Sequence, residues 1–380
     1  MVKTVLISGA SISGPALAWW LSRFGFVPTL VEQAPAPLKG GHAIDVRGVA
    51  LDILRAMDLV DAVYDNRTRM KGVSMLDEAG KEVWRSEEMT ISGGRFDNDD
   101  IEILRDDISR LLVGKLPEGT EIIYGDSVTS IDEGENGVTV TFEKGPARKF
   151  DLVVGADGLR SNIRKLVFGG DSRFLKPLGV ALAPFSTPNT IGIEDWQLTY
   201  RTGKDSCMIY TARNNSELRV CFGFAAGLED AVSDRARQMA LVRQRCGHMG
   251  WEVPRLLDAM ETAPDFYLGL IAQVKMDRWT KGRVALVGDA GYCPSPFTGQ
   301  GTSLALVGAY VLAHELAQTP DDHAAAFALY EAKIRPYVET NHMIAELTQD
   351  ERFSDPEYYT SVVEPAMDKA KNAIVLEELG

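Results

Sequence analysis

Short apolar runs rich in β-branched residues alternate with longer stretches of helical periodicity along the first third of the chain. Residues 2–8 form such a run, Gly9-Ala10-Ser11-Ile12-Ser13-Gly14 follows, and helical spacing then holds from Pro15 to Phe24 before Gly25. This order predicts strand, tight turn, helix, because Pro15 has no N–H to lose in a first helical turn and Gly25 suits a left-handed cap. Residues 27–31 predict the next strand, ending at Glu32, and the polar, glycine-rich stretch 35–48 predicts an irregular loop. Residues 50–57 read as a helix, 73–76 with 82–84 as a hairpin, and 101–112 as a strand turning helical around Arg105. Four strands follow at 121–124, 128–132, 138–143 and 150–154, the last running into Gly155-Ala156-Asp157-Gly158.

Between about 175 and 225 the pattern is strand-rich with no helix interleaved, a shift that marks a second domain. Helical spacing returns at 230–244, a long strand is expected at 266–275, and 283–288 reads as a buried strand. A Gly/Pro-rich loop then leads to Gly301. Helices are expected at 302–318, 322–348 and 356–378. The expected architecture is α/β: a Rossmann-like nucleotide-binding domain from residues 1–174 and 275–350, lending a hairpin near 72–100 to a β-sheet-rich substrate domain at 175–274, with a C-terminal helix over 351–380.

Composition narrows the function. No stretch approaches the roughly 18 consecutive apolar residues of a membrane span, and a net charge of −14 repels nucleic acid and acidic membrane surfaces. Cys207, Cys221, Cys246 and Cys293 show no paired spacing, which fits a reducing cytoplasm, and the five histidines show no metal-ligand spacing. The N-terminal 27 residues start like a signal peptide, but Gly9, Ser11, Ser13, Gly14 and Pro15 break the apolar core, as a turn would.

Glycines after a first strand let backbone approach a pyrophosphate at a helix N-terminus, and an acidic residue about 20 positions on can hold an adenosine ribose. Glu32, followed by Gln33, stands there; Ser11 replaces the middle glycine, and an ordinary strand–helix turn is the alternative. Further motifs stand in order behind this one: Arg105, Gly155-Ala156-Asp157-Gly158 with Ser161 and Arg164, Gly288-Asp289-Ala290, then Pro296, Gly299, Gln300 and Gly301. Over residues 2 to 317 the set resembles the class A FAD-dependent monooxygenases, the aromatic-hydroxylase family.

The resemblance implies an FAD site built from Gly9, Ser11, Ile12, Ser13, Gly14, Glu32, Gln33, Arg47, Arg105, Asp157, Gly288, Asp289, Pro296, Gly299, Gln300 and Gly301. Asp289 would accept from a ribityl hydroxyl, Arg105 would meet phosphate or ribityl, Arg47 would lie beside the flavin, and the helix after Gly301 would face its pyrimidine. An N-cap, tight turns and solvated arginines are the alternatives. Tyr292 and Ser303 replace the family's usual histidine and asparagine, so contacts near the isoalloxazine are expected to differ. The segments 40–48 and 288–296 are similar to the tetracycline-inactivating flavin monooxygenases.

No second glycine fingerprint exists for a nicotinamide, so the resemblance implies NAD(P)H as a transient co-substrate. Oxygen then gives a flavin C4a-hydroperoxide that hydroxylates an electron-rich aromatic or polyketide-like substrate, a tetracycline first, without a catalytic side chain. A phenol hydroxylase of secondary metabolism or catabolism is the alternative, as are a halogenase, a prenyl reductase and a non-catalytic flavin-binding or ligand-sequestering protein. Trp251-Glu252-Val253-Pro254 does not match the halogenase signature.

In the strand-rich segment a period of two suggests that Trp196, Leu198 and Tyr200, Met208 and Tyr210, and Val220, Phe222 and Phe224 share one face. With Pro296 and Phe297 they are expected either to wall a pocket for a planar substrate or to pack as core. The C-terminal helix, with Tyr358, Val362, Met367 and Ile374, is expected to cover the entrance, to dock, or to contact a second copy. Monomer and homodimer both stay open.

Overall fold

The computed structural model describes residues 3–37, 40–88, 98–347 and 356–376. Its framework is a six-stranded sheet in the order Thr280–Lys281, Val284–Leu286, Leu152–Gly155, Thr4–Ser8, Val27–Glu32, Glu121–Tyr124. All neighbours run parallel except the edge strand Thr280–Lys281. Its central strands are largely apolar because they are covered, helix Ser13–Arg23 and a three-stranded meander both packing against them. Helix Ser13–Arg23 makes the first crossover and packs on helix Gly301–Gln318. Trp20 seals this contact, fully buried, edge-on to Tyr310 at 4.7 Å.

A three-stranded antiparallel meander, Val128–Gly134, Gly137–Phe142 and Arg148–Phe150, fills the connection between Glu121–Tyr124 and Leu152–Gly155. Residues 175–274 build most of a second sheet of seven strands. Its order is Gly269–Val274, Leu175–Pro188, Glu217–Ala225, Asp205–Ala212, Trp196–Thr202, Gly72–Leu76, Glu82–Ser86. The early hairpin therefore joins the late sheet, pairing parallel through Gly72–Leu76 with Trp196–Thr202. The rest of the expected hairpin segment, 89–97, lies outside the described residues. Helices Arg235–Cys246 and Val253–Thr262 cover one face of this sheet and enclose a separate hydrophobic core.

Three expectations change. The stretch 35–48 contains a strand, Ala43–Val46, paired antiparallel with Ile101–Leu104; its partner is nearly sixty residues away, so local glycine content hid it. Helix Val253–Thr262, started by Pro254 in its first turn, was not anticipated. The last helical segment is segmented as Pro356–Tyr358, a π-turn Tyr359–Val363 and Glu364–Lys371, shorter than the expected 356–378. Among the described residues no helix is long and apolar enough to cross a membrane.

Candidate functional site

Three turns meet at the carboxyl ends of the central strands. Gly9 has φ +109°, and a Cβ there would run into the Ala156 carbonyl; a Cβ on Gly288, at φ +63°, would strike the Ser13 hydroxyl. Only glycine lets the turns after Ser8, Gly155 and Val287 approach this closely. Ile12 gives helix Ser13–Arg23 no side-chain cap, so its first-turn amides keep their donors and the helix's partial positive charge.

Around this cradle the polar side chains divide their work. Arg105, opening helix Arg105–Gly114, reaches the Ser11 hydroxyl at 3.3 Å, and Ser109 donates to the Ser11 carbonyl at 2.9 Å. Glu32 accepts the Ala10 and Ala34 amides, each at 2.9 Å, so its carboxylate ties the first turn to the loop after the second strand, where Gln33 is exposed. Asp157 accepts from Ser161 Oγ at 2.5 Å and from the amides of Asn162 and Ile163 at 2.8 and 3.0 Å. It organises the start of helix Asn162–Val167. Asp289 follows Gly288 directly; burial raises its carboxyl above the usual range, and the positive charge of Arg105 opposes this.

A second cluster forms where the chain enters helix Gly301–Gln318. Arg47 is buried and pairs with Asp45 at 3.0 Å. Its guanidinium lies about 3.0 Å from where a Cβ on Gly299 (φ +62°) would stand. Ser303 holds Arg47 from behind, accepting its amide at 3.0 Å. Gln300 is buried, and both its amide nitrogen and its amide oxygen lack a protein partner. A buried, unsatisfied amide costs about 1–3 kcal/mol, which a ligand with an adjacent donor and acceptor would relieve. This orphaned amide, the uncapped helix and the glycine cradle together fit a flavin dinucleotide, whose ring offers an alternating donor and acceptor edge and whose middle carries phosphates. Pro296 is exposed and Phe297 half-buried on the turn just before.

Tyr292 takes no part in this cluster. It is fully buried behind the strand, edge-on to Trp279 at 4.8 Å and with its hydroxyl 2.9 Å from that of Tyr330. Gly308 makes room for it, since a Cβ there would collide with the Tyr292 hydroxyl. The replacement expected to alter contacts near the isoalloxazine is thus part of the core, and Ser303 acts through Arg47.

The seven-stranded sheet corrects the expectation of one aromatic face. Leu198 pairs with Ile209, Tyr200 with Cys207, and Cys207 with Phe222, whereas Tyr210 stands opposite Gln197 and Arg219, and Met208 opposite Thr199 and Cys221. Tyr200, Phe222 and Phe224 are core under the two helices, and Tyr200 stacks on Trp251 at 5.4 Å. Trp196 lies at the edge of that same face, beneath Arg85 at 3.8 Å. Met208 and Tyr210 line the opposite face, beside Ala43 and Leu104. A signal for this was present: the two-residue connection Gly203-Lys204 pairs even-numbered residues of one strand with odd-numbered residues of the next.

On that opposite face stand residues not anticipated for the site. His42 Nε2 lies 3.1 Å from the Val220 carbonyl, and Nδ1 lies 3.1 Å from the Tyr210 hydroxyl, which accepts the Ala43 amide at 2.6 Å. With Nε2 donating, Nδ1 accepts from Tyr210. Burial pushes the His42 pKa down to about 4, keeping the ring neutral, and pushes Tyr210 well above its ordinary value. Arg219 is buried between Glu217 at 2.7 Å and Asp265 at 3.3 Å. Arg164, fully buried, donates to the Ala290 and Leu159 carbonyls at 2.9 and 2.7 Å and to Asp171 at 2.6 Å, so it ties the turn after Gly155 to the one after Val287.

A glycine-turn cradle on a parallel sheet, beside a mostly antiparallel sheet and a cluster of polar side chains, is the arrangement of a flavoprotein. A family model described as an FAD binding domain matches residues 3–344. An uncharacterized protein of Mycobacterium tuberculosis is 45% identical over 344 residues, covering 90% of this chain and 92% of its own length. A flavin-dependent monooxygenase of an unknown prokaryotic organism is 39% identical and covers 99% of both. The solved structure of tetracycline destructase Tet(55) superimposes with a TM-score of 0.89 at 37% identity, covering 99% of both chains. The chain belongs to the FAD-dependent aromatic-hydroxylase family of flavoprotein monooxygenases: it is an enzyme, and FAD is its cofactor.

Proposed function

We propose that this monooxygenase uses NAD(P)H and O2 to hydroxylate a tetracycline-like polyketide. The observation that carries the substrate class is the likeness to a tetracycline destructase over both whole chains, substrate-side sheet included. Bound FAD, once reduced by NAD(P)H, would supply the activation of O2 that makes one of its oxygen atoms electrophilic. This chain's residues bind, orient and exclude water. Gly9, Ser11, Ile12, Ser13 and Gly14 hold the pyrophosphate against the first helix. Glu32 and Gln33 border the adenosine end, and Arg105 and Asp289 take the ribityl region. Arg47, Pro296, Gly299, Gln300 and Gly301 border the ring, with Asp157 shaping the turn between them.

Residues 1–174 and 275–350 serve the cofactor, 175–274 with the early hairpin serve the substrate, and the C-terminal helix covers the entrance. Met208, Tyr210 and His42 form the substrate wall. About 13 Å of extended chain from Ala43 to Arg47 separates that wall from the ring site, a span comparable to a ligand of several fused rings. Neutral His42 is locked by its two hydrogen bonds and keeps the Tyr210 hydroxyl turned inward. Four free, buried cysteines support a reducing, cytoplasmic setting.

The test is oxidation of NADPH by purified holoenzyme with and without tetracycline, followed by product mass. Stimulated oxidation and a gain of one oxygen atom are expected. Turnover of simple phenols with tetracycline untouched would overturn the substrate and favour a phenol hydroxylase.

A further inference from the structure

A hairpin tip of the seven-stranded sheet reaches across to the helix that carries Arg105. Strands Asp205–Ala212 and Glu217–Ala225 are joined by residues 213–216, and Arg213, Asn214 and Asn215 all take left-handed backbone, with φ of 52°, 56° and 63°. Three such residues in a row without a glycine are strained, and strain of this kind persists where the surroundings over-determine it. The surroundings do so here. The Asn215 side chain accepts the Asp195 amide and donates to the Asp195 carboxylate, each at 2.9 Å. Asn189 donates to the Asn215 carbonyl at 2.8 Å, and the Ser216 hydroxyl donates to the Arg213 carbonyl at 2.8 Å.

What the turn delivers is the Arg213 guanidinium. It engages Asp106 at 2.9 Å and Asp107 at 2.5 Å, both in the first turn of helix Arg105–Gly114. Acidic residues suit the positive end of a helix, yet this same end holds Arg105 against the Ser11 turn, where an anionic cofactor is to bind. Asp107 has a second cation, Arg110, at 3.0 Å. Among the described residues Arg213 is the cation paired with Asp106, whose same carboxylate oxygen also accepts the Gly40 amide at 3.2 Å. Glu217, close enough to act on Arg213, is taken by Arg219 at 2.7 Å.

We propose that Arg213 is a positioning residue of the cofactor site: by engaging Asp106 and Asp107 it cancels negative charge beside Arg105, leaving the Arg105 guanidinium and the helix's positive end to act on FAD. Asp106, Asp107, Arg110 and Arg213 form two carboxylates against two guanidiniums. Without Arg213 the helix start carries one uncompensated negative charge, which repels the FAD diphosphate. The sheet assigned to the substrate thereby also serves the cofactor.

The inference rests on Arg105 serving FAD. The experiment is titration of apoprotein with FAD at neutral pH, followed by flavin fluorescence. Arg213→Gln should bind FAD on the order of tenfold more weakly than wild type, the effect of one charge acting over roughly 10 Å at an effective dielectric of about 20. Arg213→Lys, which keeps the charge and loses the two-pronged grip, should lie between the two. Arg213→Gln combined with Asp106→Asn removes one charge of each sign and should return the affinity to near that of wild type. A strap that merely held the fold together would leave the double variant as weak as the single one. Asp106→Asn alone should bind FAD at least as tightly as wild type, a readout that stands even where Arg213→Gln does not fold. Wild-type affinity in Arg213→Gln, no rescue in the double variant, or weakened binding in Asp106→Asn would overturn the proposal. Arg105→Gln separates these failures from a misplaced cofactor: loss of FAD affinity in that variant upholds the placement, and wild-type affinity removes it together with the inference.

Discussion

Asp289 and Tyr292, three residues apart, show how sharply roles divide within one motif. The Asp289 carboxyl is largely desolvated, with the charge of Arg105 nearby and the Cys293 thiol bonded to it. A ribityl hydroxyl there would make a charge-assisted bond of about 1.5–3 kcal/mol. Asp289→Ala should therefore weaken FAD binding by about 10- to 150-fold, read as flavin content after gel filtration and as Kd on reconstitution; unchanged occupancy would remove Asp289 from the cofactor. Tyr292 turns the other way, into the core. Tyr292→Phe loses one buried hydroxyl contact, so it should cost about 1 kcal/mol in urea unfolding and leave FAD affinity and turnover unchanged. A change in the flavin spectrum would place the phenol at the ring after all.

At the scale of elements, the site depends on side chains that lock turns and helices together. Arg164 satisfies two carbonyls and one carboxylate from a fully buried position. Arg164→Met would leave both carbonyls without this donor and Asp171 with only Lys165 at 3.3 Å, and breaking such a buried pair costs about 3–5 kcal/mol. The expected result is loss of stability together with loss of FAD, since the turn bearing Asp289 is no longer anchored; thermal unfolding and flavin release should coincide. The last helix meets the site differently. Tyr358, Val363, Met367 and Ala370 pack on Ile344, and a Cβ on Gly48 would come within 2.6 Å of the Lys371 carbonyl. Glu364–Lys371 thus rests on the backbone beside Arg47. Deleting residues from 356 onward should raise the substrate KM by more than it weakens FAD binding, and equal losses in both would reduce the helix to a structural cap.

Over the whole molecule, two largely desolvated groups pull stability in opposite directions with pH. His42 has its pKa lowered from 6.5 to about 4. The unfolded chain therefore binds its proton across that window and the folded chain does not, so this contribution is full above pH 6.5 and lost as pH falls through 4. Glu102 has its pKa raised from 4.5 to about 7. The folded chain then holds the extra proton, so its contribution is full below pH 4.5 and lost as pH rises through 7. Between about pH 5 and 6.5 the two slopes, each about 1.4 kcal/mol per pH unit at most, oppose one another. Urea unfolding of Glu102→Gln should show stability rising with pH in this interval, and of His42→Asn stability falling. Parallel profiles in the two variants would mean that neither group titrates as its surroundings dictate.

Local chemistry was enough to read the strand Thr4–Ser8, the glycine turn and helix Ser13–Arg23 from the chain alone, because a turn needing positive φ and a helix needing a buried stripe leave their marks within a few residues. The same holds for the motif glycines Gly9, Gly288 and Gly299, whose backbone conformations no other residue adopts readily. Even the split of the aromatics was within reach, since the two-residue turn at Gly203-Lys204 sets which side chains share a face; a period of two within each strand leaves the phase between strands open. Other features arise only between segments far apart. Strand Ala43–Val46 exists because Ile101–Leu104 lies beside it, and Arg164 earns its place only where two motifs 126 residues apart converge. His42 meets Tyr210 and Val220 of the seven-stranded sheet from far along the chain, and Tyr292 faces the core because Gly308 on another helix leaves it room. Sequence determined the cofactor and the class of chemistry, both carried by short motifs with strict backbone demands. Tertiary structure decided which side chains share a face and which turn into the core, because that depends on the register and packing of strands and helices that no local pattern records.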